Sequence, residues 1–373
     1  MTTLPLPIRS QADTCTYCPK LCRFSCPVAE GEARETVTPW GLMSLLRLVD
    51  DGHVELTAEV GEVFFHCTGC LRCQTWCRHD HDLPTAMRHA RRMVVDSGLP
   101  TPPALRGMDQ AMEQHGCAGG PVPSLASAEV FDAGSAVAYF PGCARRREDP
   151  EGVVLVGRLL AEVLGHKVAL FEGDDAAPMH CCGGALEQAG YGAAADVWRE
   201  RLSGALAGYE QVVTECGDID LPPDGPRVQP LIDVLFQRMT SWMGKTAQSA
   251  GGAGNASAGL VALHDGCRTG RKLGLHDATR AVVTAALGHP PADMWLSRDE
   301  GLCCGAGDHY PLVAPDGAAV AAGLVLGALE DQGAQTVVTG SVRCAGHMRA
   351  HGDGVEVVDV GRFVARSLGI GGE

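Results

Sequence analysis

The sequence lacks any long hydrophobic run. Its longest apolar stretch, residues 318–329, is rich in glycine and alanine and falls short of the roughly 20 residues that a membrane-spanning helix needs. The N-terminal residues MTTLPLPIRSQADTC contain no basic segment followed by an apolar one, which is the pattern of a secretory signal peptide. We therefore expect no transmembrane segment and no secretory leader, and we expect a cytoplasmic protein.

Positive charge is also scarce. Lysine and arginine together number 30, against 45 aspartates and glutamates, and the formal net charge is −15. A protein that binds nucleic acid needs clustered positive charge to neutralise phosphates, so this balance argues against a nucleic-acid partner. Short basic clusters at residues 88–92 and 145–147 are expected to lie on solvent-exposed helix faces, where arginine is usually found.

The sequence contains no recognisable motif for hydride, phosphate or nucleophilic chemistry. The glycine-rich stretches GCAGG and GDGVEV do not stand between a strand and a helix, as a dinucleotide-binding motif requires. With 373 residues, of which 45% are hydrophobic, the chain can build two or three domains with ordinary cores. The composition therefore excludes a small scaffold held together by disulfides.

The chain is nevertheless rich in cysteine, with 17 residues of this type. Eight of them form two tight runs near the N-terminus: Cys15, Cys18, Cys22 and Cys26, and then Cys67, Cys70, Cys73 and Cys77. The second run has the spacing of bacterial two-cluster ferredoxins, and the first differs by one extra residue in its middle gap. In ferredoxins of this type, three cysteines of one run bind a cubane and the fourth ligand comes from the other run.

The two runs therefore predict two 4Fe-4S clusters with crossed ligands. One cluster would be bound by Cys15, Cys18, Cys22 and Cys77, and the other by Cys67, Cys70, Cys73 and Cys26. Proline follows Cys26, as ferredoxin spacing leads one to expect, but Arg78 follows Cys77. Zinc is the alternative metal, although a zinc ribbon uses two cysteine pairs per ion rather than two runs of four.

Eight further cysteines form two copies of a looser pattern. In each copy a cysteine follows a glycine at the end of an apolar run, a Cys-Cys-Gly triplet comes next, and a last cysteine closes another apolar run. The members are Cys143, Cys181, Cys182 and Cys216 in the first copy, and Cys267, Cys303, Cys304 and Cys344 in the second. The nearly constant offset between equivalent cysteines predicts two repeated α/β units.

Short apolar runs that precede the cysteines are expected to be buried parallel strands. They lie at residues 136–143, 167–173 and 211–216, and at the equivalent positions 260–267, 293–299 and 336–344. Helices are expected between them, for example at 195–206 and 318–329. Because loops at the carboxyl ends of such strands gather at one edge, the cysteines of each unit should converge on one metal pocket, or both units should share one.

The expected fold class is therefore α plus α/β, with a helical ferredoxin-like domain followed by two α/β units. In the first domain, helices are expected after Thr38-Pro39 and over residues 84–95. The predicted divisions are a helical domain at 1–97, a linker at 98–134, the first unit at 135–243, a linker at 244–259 and the second unit at 260–373.

The order of these motifs resembles that of the iron–sulfur subunit of glycolate oxidase, and the Cys-Cys-Gly units resemble the CCG domains found twice in heterodisulfide reductase. The resemblance covers nearly the whole chain. It implies a non-catalytic electron-transfer subunit that accepts electrons from a flavoprotein partner oxidising a 2-hydroxy acid. It also implies electron flow toward quinone or another carrier, with peripheral contact to a quinone reductase of the inner membrane.

The chain departs from heterodisulfide reductase at the end of each CCG unit. There the reductase has Cys-x-x-Cys, whereas this chain has Ile219 and His347 at the last position. Either the units still hold one or two further iron–sulfur clusters, with His347 as an added ligand, or they have lost them and serve as a docking scaffold. The alternative function is thiol–disulfide redox catalysis at a CCG cluster, and a third is a scaffold role in a larger redox complex.

The remaining candidates are expected to be bystanders. Cys117, which falls outside both patterns, is interpreted as an idle thiol in the linker. His180 and His309, beside the Cys-Cys pairs, and the histidines that flank the second tight run are interpreted as polar groups rather than ligands. The flanking histidines are His66, His79 and His81.

Overall fold

The computed structural model describes residues 4–173, 177–221, 225–243 and 259–371. Within residues 4–97 it contains helices and loops and no strand. The helices are α1 (Leu6–Thr16), α2 (Pro27–Glu32), α3 (Pro39–Asp50), α4 (Ala58–Val63), α5 (Arg72–Thr75) and α6 (Leu83–Asp96). The helical character predicted for this part of the chain is therefore confirmed.

Helices α3 and α6 begin where the sequence predicts. Thr38 Oγ1 accepts a hydrogen bond from the Gly41 amide at 3.0 Å, and Asp82 Oδ1 accepts one from the Thr85 amide at 3.0 Å. Both helices have proline in the first turn. Proline is tolerated there because the amide it lacks would have no partner inside the helix.

Residues 98–134 are more than a loose connection. They contain a 3-10 turn (Pro103–Leu105) and helix α7 (Met108–His115). Leu105, Met108 and Met112 are buried in the same apolar core as side chains of the N-terminal helices and of the first α/β unit. Since burying one large apolar side chain contributes about 1.5–3 kcal/mol, this segment is an integral part of the folded body.

Two parallel sheets follow, one in each predicted α/β unit. Their strand orders are β2-β1-β3-β4 and β6-β5-β7-β8, so each strand has the same neighbours as its equivalent in the other sheet. The strands are β1 (Val137–Phe140), β2 (Ala169–Leu170), β3 (Gln211–Thr214), β4 (Val228–Pro230), β5 (Leu260–His264), β6 (Ala292–Asp293), β7 (Ala334–Thr339) and β8 (Glu356–Asp359). The matching order confirms the internal repeat that the cysteine spacing predicts.

Helices cover the faces of both sheets. In the first unit they are α8 (Gly142–Glu148), α9 (Pro150–Leu164), α10 (Gly184–Gln188), α11 (Gly192–Leu206) and α12 (Leu231–Gln237). In the second unit they are α13 (His276–Leu287), α14 (Tyr310–Val313), α15 (Pro315–Asp331), α16 (Val342–Arg349) and α17 (Val360–Ser367). The helices predicted at 195–206 and 318–329 are confirmed as α11 and α15.

The edge strands are shorter than expected. Strands β2 and β6 have two residues each, so the strand predicted over 293–299 is wrong for most of its length. After β6, Trp295 is 92% exposed, and the chain enters a 3-10 turn at Arg298–Glu300. Trp295 contributes to the apolar pattern from which the strand was predicted, although its side chain faces solvent.

The two α/β units pack against each other and share an apolar core. The shared core includes Val156 and Leu160 of α9, Val282 of α13, Val338 of β7 and Val364 of α17, all of which are buried. The linker predicted at 244–259 lies, except for Gly259, outside the described residues.

The basic clusters are not exposed helix faces, and that prediction is wrong for three of their arginines. Arg91, Arg145 and Arg146 are completely buried. Arg91 donates hydrogen bonds to Asp308 Oδ2 at 3.0 Å and to the Cys67 carbonyl at 2.8 Å. A buried charge is tolerated only with such partners, and these partners are distant in the sequence.

His276 provides a test of the second unit through pH. The Asp265 carboxylate accepts a hydrogen bond from His276 Nδ1 at 2.9 Å, and this contact raises the pKa of His276. A histidine whose pKa is raised in the folded state stabilises the fold at pH values below the ordinary histidine pKa. This stabilisation is lost as the pH rises through the raised pKa. At about pH 6 we expect the urea midpoint of wild type to be higher than that of His276→Gln. We expect this difference to shrink as the pH rises to about 9.

Anaerobic urea unfolding at several pH values measures this difference. His289→Gln is the matched control, because His289 is exposed and its ring contacts only the neighbouring Pro290 carbonyl among the hydrogen bonds of the described residues. A gap between wild type and His276→Gln that widens with rising pH would contradict the prediction.

Candidate metal centres

The cysteines of both α/β units lie at the carboxyl ends of the parallel strands. Cys143 follows β1 in α8, and Cys216 follows β3. In the second unit, Cys267 follows β5 and Cys344 lies in α16 after β7. The Cys-Cys pairs come after the edge strands β2 and β6. Because all strands of a parallel sheet point the same way, these loops meet at one edge of each sheet.

Five cysteines meet at this edge of the first unit. The sulfurs of Cys182 and Cys216 are 3.5 Å apart. The Cys181 thiol lies close enough to the thiols of Cys182 and Cys143 to interact with both. Cys143 in turn contacts Cys117. The structure thus brings together the four predicted site residues and adds one thiol that the sequence analysis left without a role.

Close packing around this group requires glycine at position 142. Gly142 has a φ of +80°, and a Cβ there would lie 3.0 Å from the Cβ of Cys216. Both the left-handed backbone and the lack of space disfavour any side chain. The Gly-Cys dipeptide at the end of β1 therefore permits the close approach of the β1 and β3 loops.

The second unit gathers its four predicted cysteines in two contacting pairs. Cys267 packs with Cys303, and Cys304 lies in the same buried cluster as Cys344 and interacts with it. All four are buried.

The two groups of cysteines face a single narrow cavity between the units. The cysteines that line it are Cys143 and Cys216 of the first unit and Cys267, Cys303, Cys304 and Cys344 of the second. Arg268 and Arg343 line the same cavity and bring positive charge to it. The sequence left open whether the pockets are separate or shared, and the structure shows thiols of both units facing one space.

In the N-terminal domain, Cys77 lies near the first tight run, although it belongs to the second. Cys15 interacts electrostatically with Cys77 as well as with Cys18 and Cys22. Conversely, Cys26 lies near Cys67 and Cys70. This placement agrees with crossed ligands, and the binding of a cluster by either group stays a prediction.

The second of these groups surrounds a cavity suited to a buried cluster. Its lining contains Cys26, Cys67, Cys70 and Cys73, together with apolar side chains such as Leu42. Burial raises the pKa of Cys67 to about 12, so its thiolate needs additional positive charge nearby. Bound iron would supply that charge and hold the sulfurs as thiolates.

Backbone amides directed at sulfur atoms provide a further sign of thiolate sites. Three such N–H···S contacts, each 3.4 Å long, run from the amide two residues downstream of the cysteine. They are Gly69 to Cys67, Gly184 to Cys182 and Gly305 to Cys303. Hydrogen bonds to sulfur tune the potential of iron–sulfur clusters, so the tight run and both CCG units share a feature that such clusters use.

A single metal ion fits this arrangement less well. Among the described residues, no three histidine, cysteine, aspartate or glutamate side chains form a group that could hold one ion. A cubane places its four cysteine ligands on different irons, so they need only surround a common space.

The N-terminal domain touches the second CCG unit directly through cysteine. Cys70 packs in one buried cluster with Cys267 and Cys303, and Thr68 Oγ1 lies 3.8 Å from Cys303 Sγ. Arg271 Nε donates to the Cys70 carbonyl at 2.7 Å and fixes the loop from the other unit. Gly69, with a φ of +63°, admits this approach, because a Cβ there would lie 2.7 Å from the Asp308 carboxylate.

Two of the candidate histidines, His347 and His309, contact backbone carbonyls. His347 Nε2 lies 3.2 Å from the Ala318 carbonyl, and its ring also contacts the backbone of Cys304, so these contacts give no support to its predicted role as a ligand. His309 Nε2 lies 2.9 Å from the Ala185 carbonyl. His81 differs, since its Nδ1 lies 3.2 Å from Cys15 Sγ, a contact that the sequence analysis missed.

A larger cavity of about 960 Å³ opens beside the first group of thiols. Cys143 forms part of its wall, together with Arg147, Arg343 and Arg349. Glu148 also lines it, and burial raises the pKa of this carboxyl. The cavity therefore combines one site thiol with several positive charges, which suits an anionic small molecule.

Fold and site together define an iron–sulfur protein, and the comparisons agree. A family model described as "4Fe-4S dicluster domain" matches residues 11–81, and one described as "Cysteine-rich domain" matches residues 137–218 and 261–349. The chain therefore joins a 4Fe-4S dicluster domain to two copies of the cysteine-rich CCG domain. The iron–sulfur and CCG domains that the order of the cysteine motifs predicts are confirmed.

A particular relative is one of the subunits of the fumarate reductase (CoM/CoB) of Methanothermobacter marburgensis, to which the chain is 25% identical over 303 residues. The match covers 77% of this chain but 57% of the relative, so the chain spans little more than half of that protein's length. No helix in the described parts of the chain combines the length and apolar character needed to cross a membrane.

Proposed function

We propose that the chain relays single electrons between the N-terminal cubanes and the two CCG centres within a multi-subunit oxidoreductase. One observation carries this proposal. The described structure contains a path of thiols from the tight runs through Cys70 and Cys303 to the shared cavity, which Cys143 also lines. Iron–sulfur clusters held by these cysteines would supply one-electron redox centres.

The chain's own residues would bind and insulate the relay. The apolar lining around the second tight run excludes water from the predicted cluster site. Arg268 and Arg271 reach from the second unit to carbonyls of the loop that carries Cys70, and they hold the two domains in register. Electron transfer depends on such fixed short separations.

We propose a flavoprotein partner that acts on an organic acid. The resemblance to the glycolate oxidase subunit suggests a 2-hydroxy acid as its substrate and quinone or another carrier as the acceptor. The relative described above is named as part of a fumarate reductase, which also supports an organic-acid partner and electron flow in either direction.

The first experiment measures iron and acid-labile sulfide in anaerobically purified protein, with EPR spectra before and after dithionite. Occupied CCG centres should give about twelve or sixteen irons, because each four-iron cluster beyond the two cubanes adds four. A content of about eight irons, with only the interacting signals of reduced cubanes, would mean that the CCG units are empty and would overturn their part in the relay.

The partner is tested by substrate-dependent reduction. When a flavin-dependent 2-hydroxyacid dehydrogenase and glycolate or D-lactate are added to the chain, the cubane EPR signals should appear without dithionite. They should not appear when the flavoprotein is omitted. Reduction of the isolated chain by glycolate alone would contradict the proposed role.

A second candidate function is reduction of a disulfide, or the reverse oxidation of two thiols, at the CCG centres. The observation that favours it is the 960 Å³ cavity, which joins the Cys143 thiol to a wall of arginines. Reducing one disulfide to two thiols takes two electrons and two protons. A Cys304→Ser variant that loses disulfide reductase activity but keeps its cubane signals would favour this function over a pure relay.

A scaffold role in a larger redox complex is the remaining candidate. Stable complex formation by a chain stripped of iron would point to that role. Loss of the complex on iron removal would exclude it.

A further inference from the structure

Cys117 lies outside both matched families of domain, yet its backbone is held against the first CCG unit. It follows Gly116, which ends α7 with a φ of +62°. The Gly116 carbonyl accepts a hydrogen bond from the His180 amide at 2.9 Å. A Cβ at Gly116 would lie 2.0 Å from the Pro178 carbonyl oxygen, so the two chain segments touch. The segment docked against Cys117 thus leads directly into Cys181.

The side chain of Cys117 points into the group of site thiols. It is completely buried, and it lies close enough to Cys143 for the two thiols to interact. The next residues, Ala118 and Gly119, line the same cavity as Cys143. Cys143 contacts Cys181, and the row continues through Cys182 to Cys216. A bystander thiol in a linker would not be expected to complete such a row.

The first unit lacks a cysteine at the position where heterodisulfide reductase has its last one. That position is Ile219, whose side chain is partly buried against the apolar core that also contains Cys181 and Cys182. The second unit differs, because the additional thiol beside its cysteines is Cys70, which already belongs to the second tight group. Among the described residues, the additional thiol beside the first unit is therefore Cys117, which belongs to neither tight run.

We propose that Cys117 is a fifth thiolate ligand of the first CCG centre, supplied by the segment between the domains in place of the cysteine missing at Ile219. This inference rests on the proposed function in one respect, namely that the first CCG centre holds an iron–sulfur cluster. It makes Cys117, just after α7, part of the metal site.

The test compares Cys117→Ala and Cys117→Ser with Ala118→Ser in the anaerobically purified full chain. Ala118 is the next residue and is also buried, so its variant is a matched control for disturbing the loop. Iron content and EPR and Mössbauer spectra are measured, and the cubane signals serve as an internal check of folding. We expect both Cys117 variants to lose or alter the CCG signal, with a loss of up to about four irons, while the cubane signals persist.

Ala118→Ser should keep the full iron content and the wild-type spectra. Wild-type iron and unchanged CCG spectra in both Cys117 variants would overturn the proposal and leave the relay function intact. Equal loss of the CCG signal in Ala118→Ser would also overturn it, since the loop alone would then explain the effect. A wild-type protein with about eight irons would overturn both the fifth ligand and the CCG part of the proposed function. If the serine of Cys117→Ser binds iron in place of the cysteine, the Cys117→Ala variant decides whether position 117 supplies a ligand.

Discussion

Replacing Cys26 and Cys67 together with alanine should remove one four-iron cluster, whereas replacing Cys26 and Cys15 together should remove two. With crossed ligands, Cys26 and Cys67 bind the same cluster, so the second substitution removes little iron beyond what the first removes. Cys26 and Cys15 serve different clusters, so their effects add. The expected losses are about four irons and about eight irons per chain.

The measurement is iron and sulfide content with EPR of the dithionite-reduced protein. The two double variants are matched controls for each other, because each carries Cys26→Ala and one further substitution in a tight run. The Cys26→Ala, Cys67→Ala variant should also lose the magnetic interaction between cubanes while keeping one cubane signal. The opposite pattern of iron losses would show that each run binds its own cluster.

Replacing Arg145 with methionine should lower the free energy of unfolding by about 3–5 kcal/mol, the range found when one partner of a buried ion pair is removed. Arg145 is fully buried, and its guanidinium donates to Glu215 at 2.6 Å and to Asp359 at 2.5 Å. It also donates to Asp149 at 2.5 Å. Methionine fills a similar volume but leaves these carboxylates without their shared cation.

The consequence reaches both α/β units. Glu215 directly precedes Cys216 in the first unit, and Asp359 ends β8 in the second. Anaerobic urea unfolding gives the free energy by linear extrapolation. Arg201→Ala is the control, because Arg201 pairs with Glu113 on the surface and should cost within about 1 kcal/mol. A loss for Arg145→Met no larger than that of the control would refute the role of this ion network.

Cysteine spacing predicted the class of protein because three of the four ligands of such a cubane come from one short loop. That constraint is local, so it is visible in the runs at Cys15–Cys26 and Cys67–Cys77. The two copies of the Cys-Cys-Gly pattern predicted the repeat for a similar reason, and the matching strand orders confirm it. Helices α3 and α6 were also predictable, because their caps and first-turn prolines are adjacent in sequence.

The failures of prediction have a common cause. The basic residues Arg91 and Arg145 look like surface groups in a local window, but inside the fold each donates to a carboxylate more than 200 positions away. Cys117 looks idle because the thiol that it interacts with, Cys143, lies 26 positions further on and beyond strand β1. The strand predicted at 293–299 failed because a run of apolar letters does not reveal which side chains face solvent.

The sequence by itself determined the metal chemistry, the helical first domain and the repeated α/β units, since each depends on residues close together in the chain. Only the tertiary structure decided which thiols meet across domains: Cys70 with Cys303, Cys117 with Cys143, and the two CCG groups across one cavity. These contacts depend on how parallel strands align their carboxyl ends and on how buried arginines join distant carboxylates. Both are properties of packing, which local spacing does not encode.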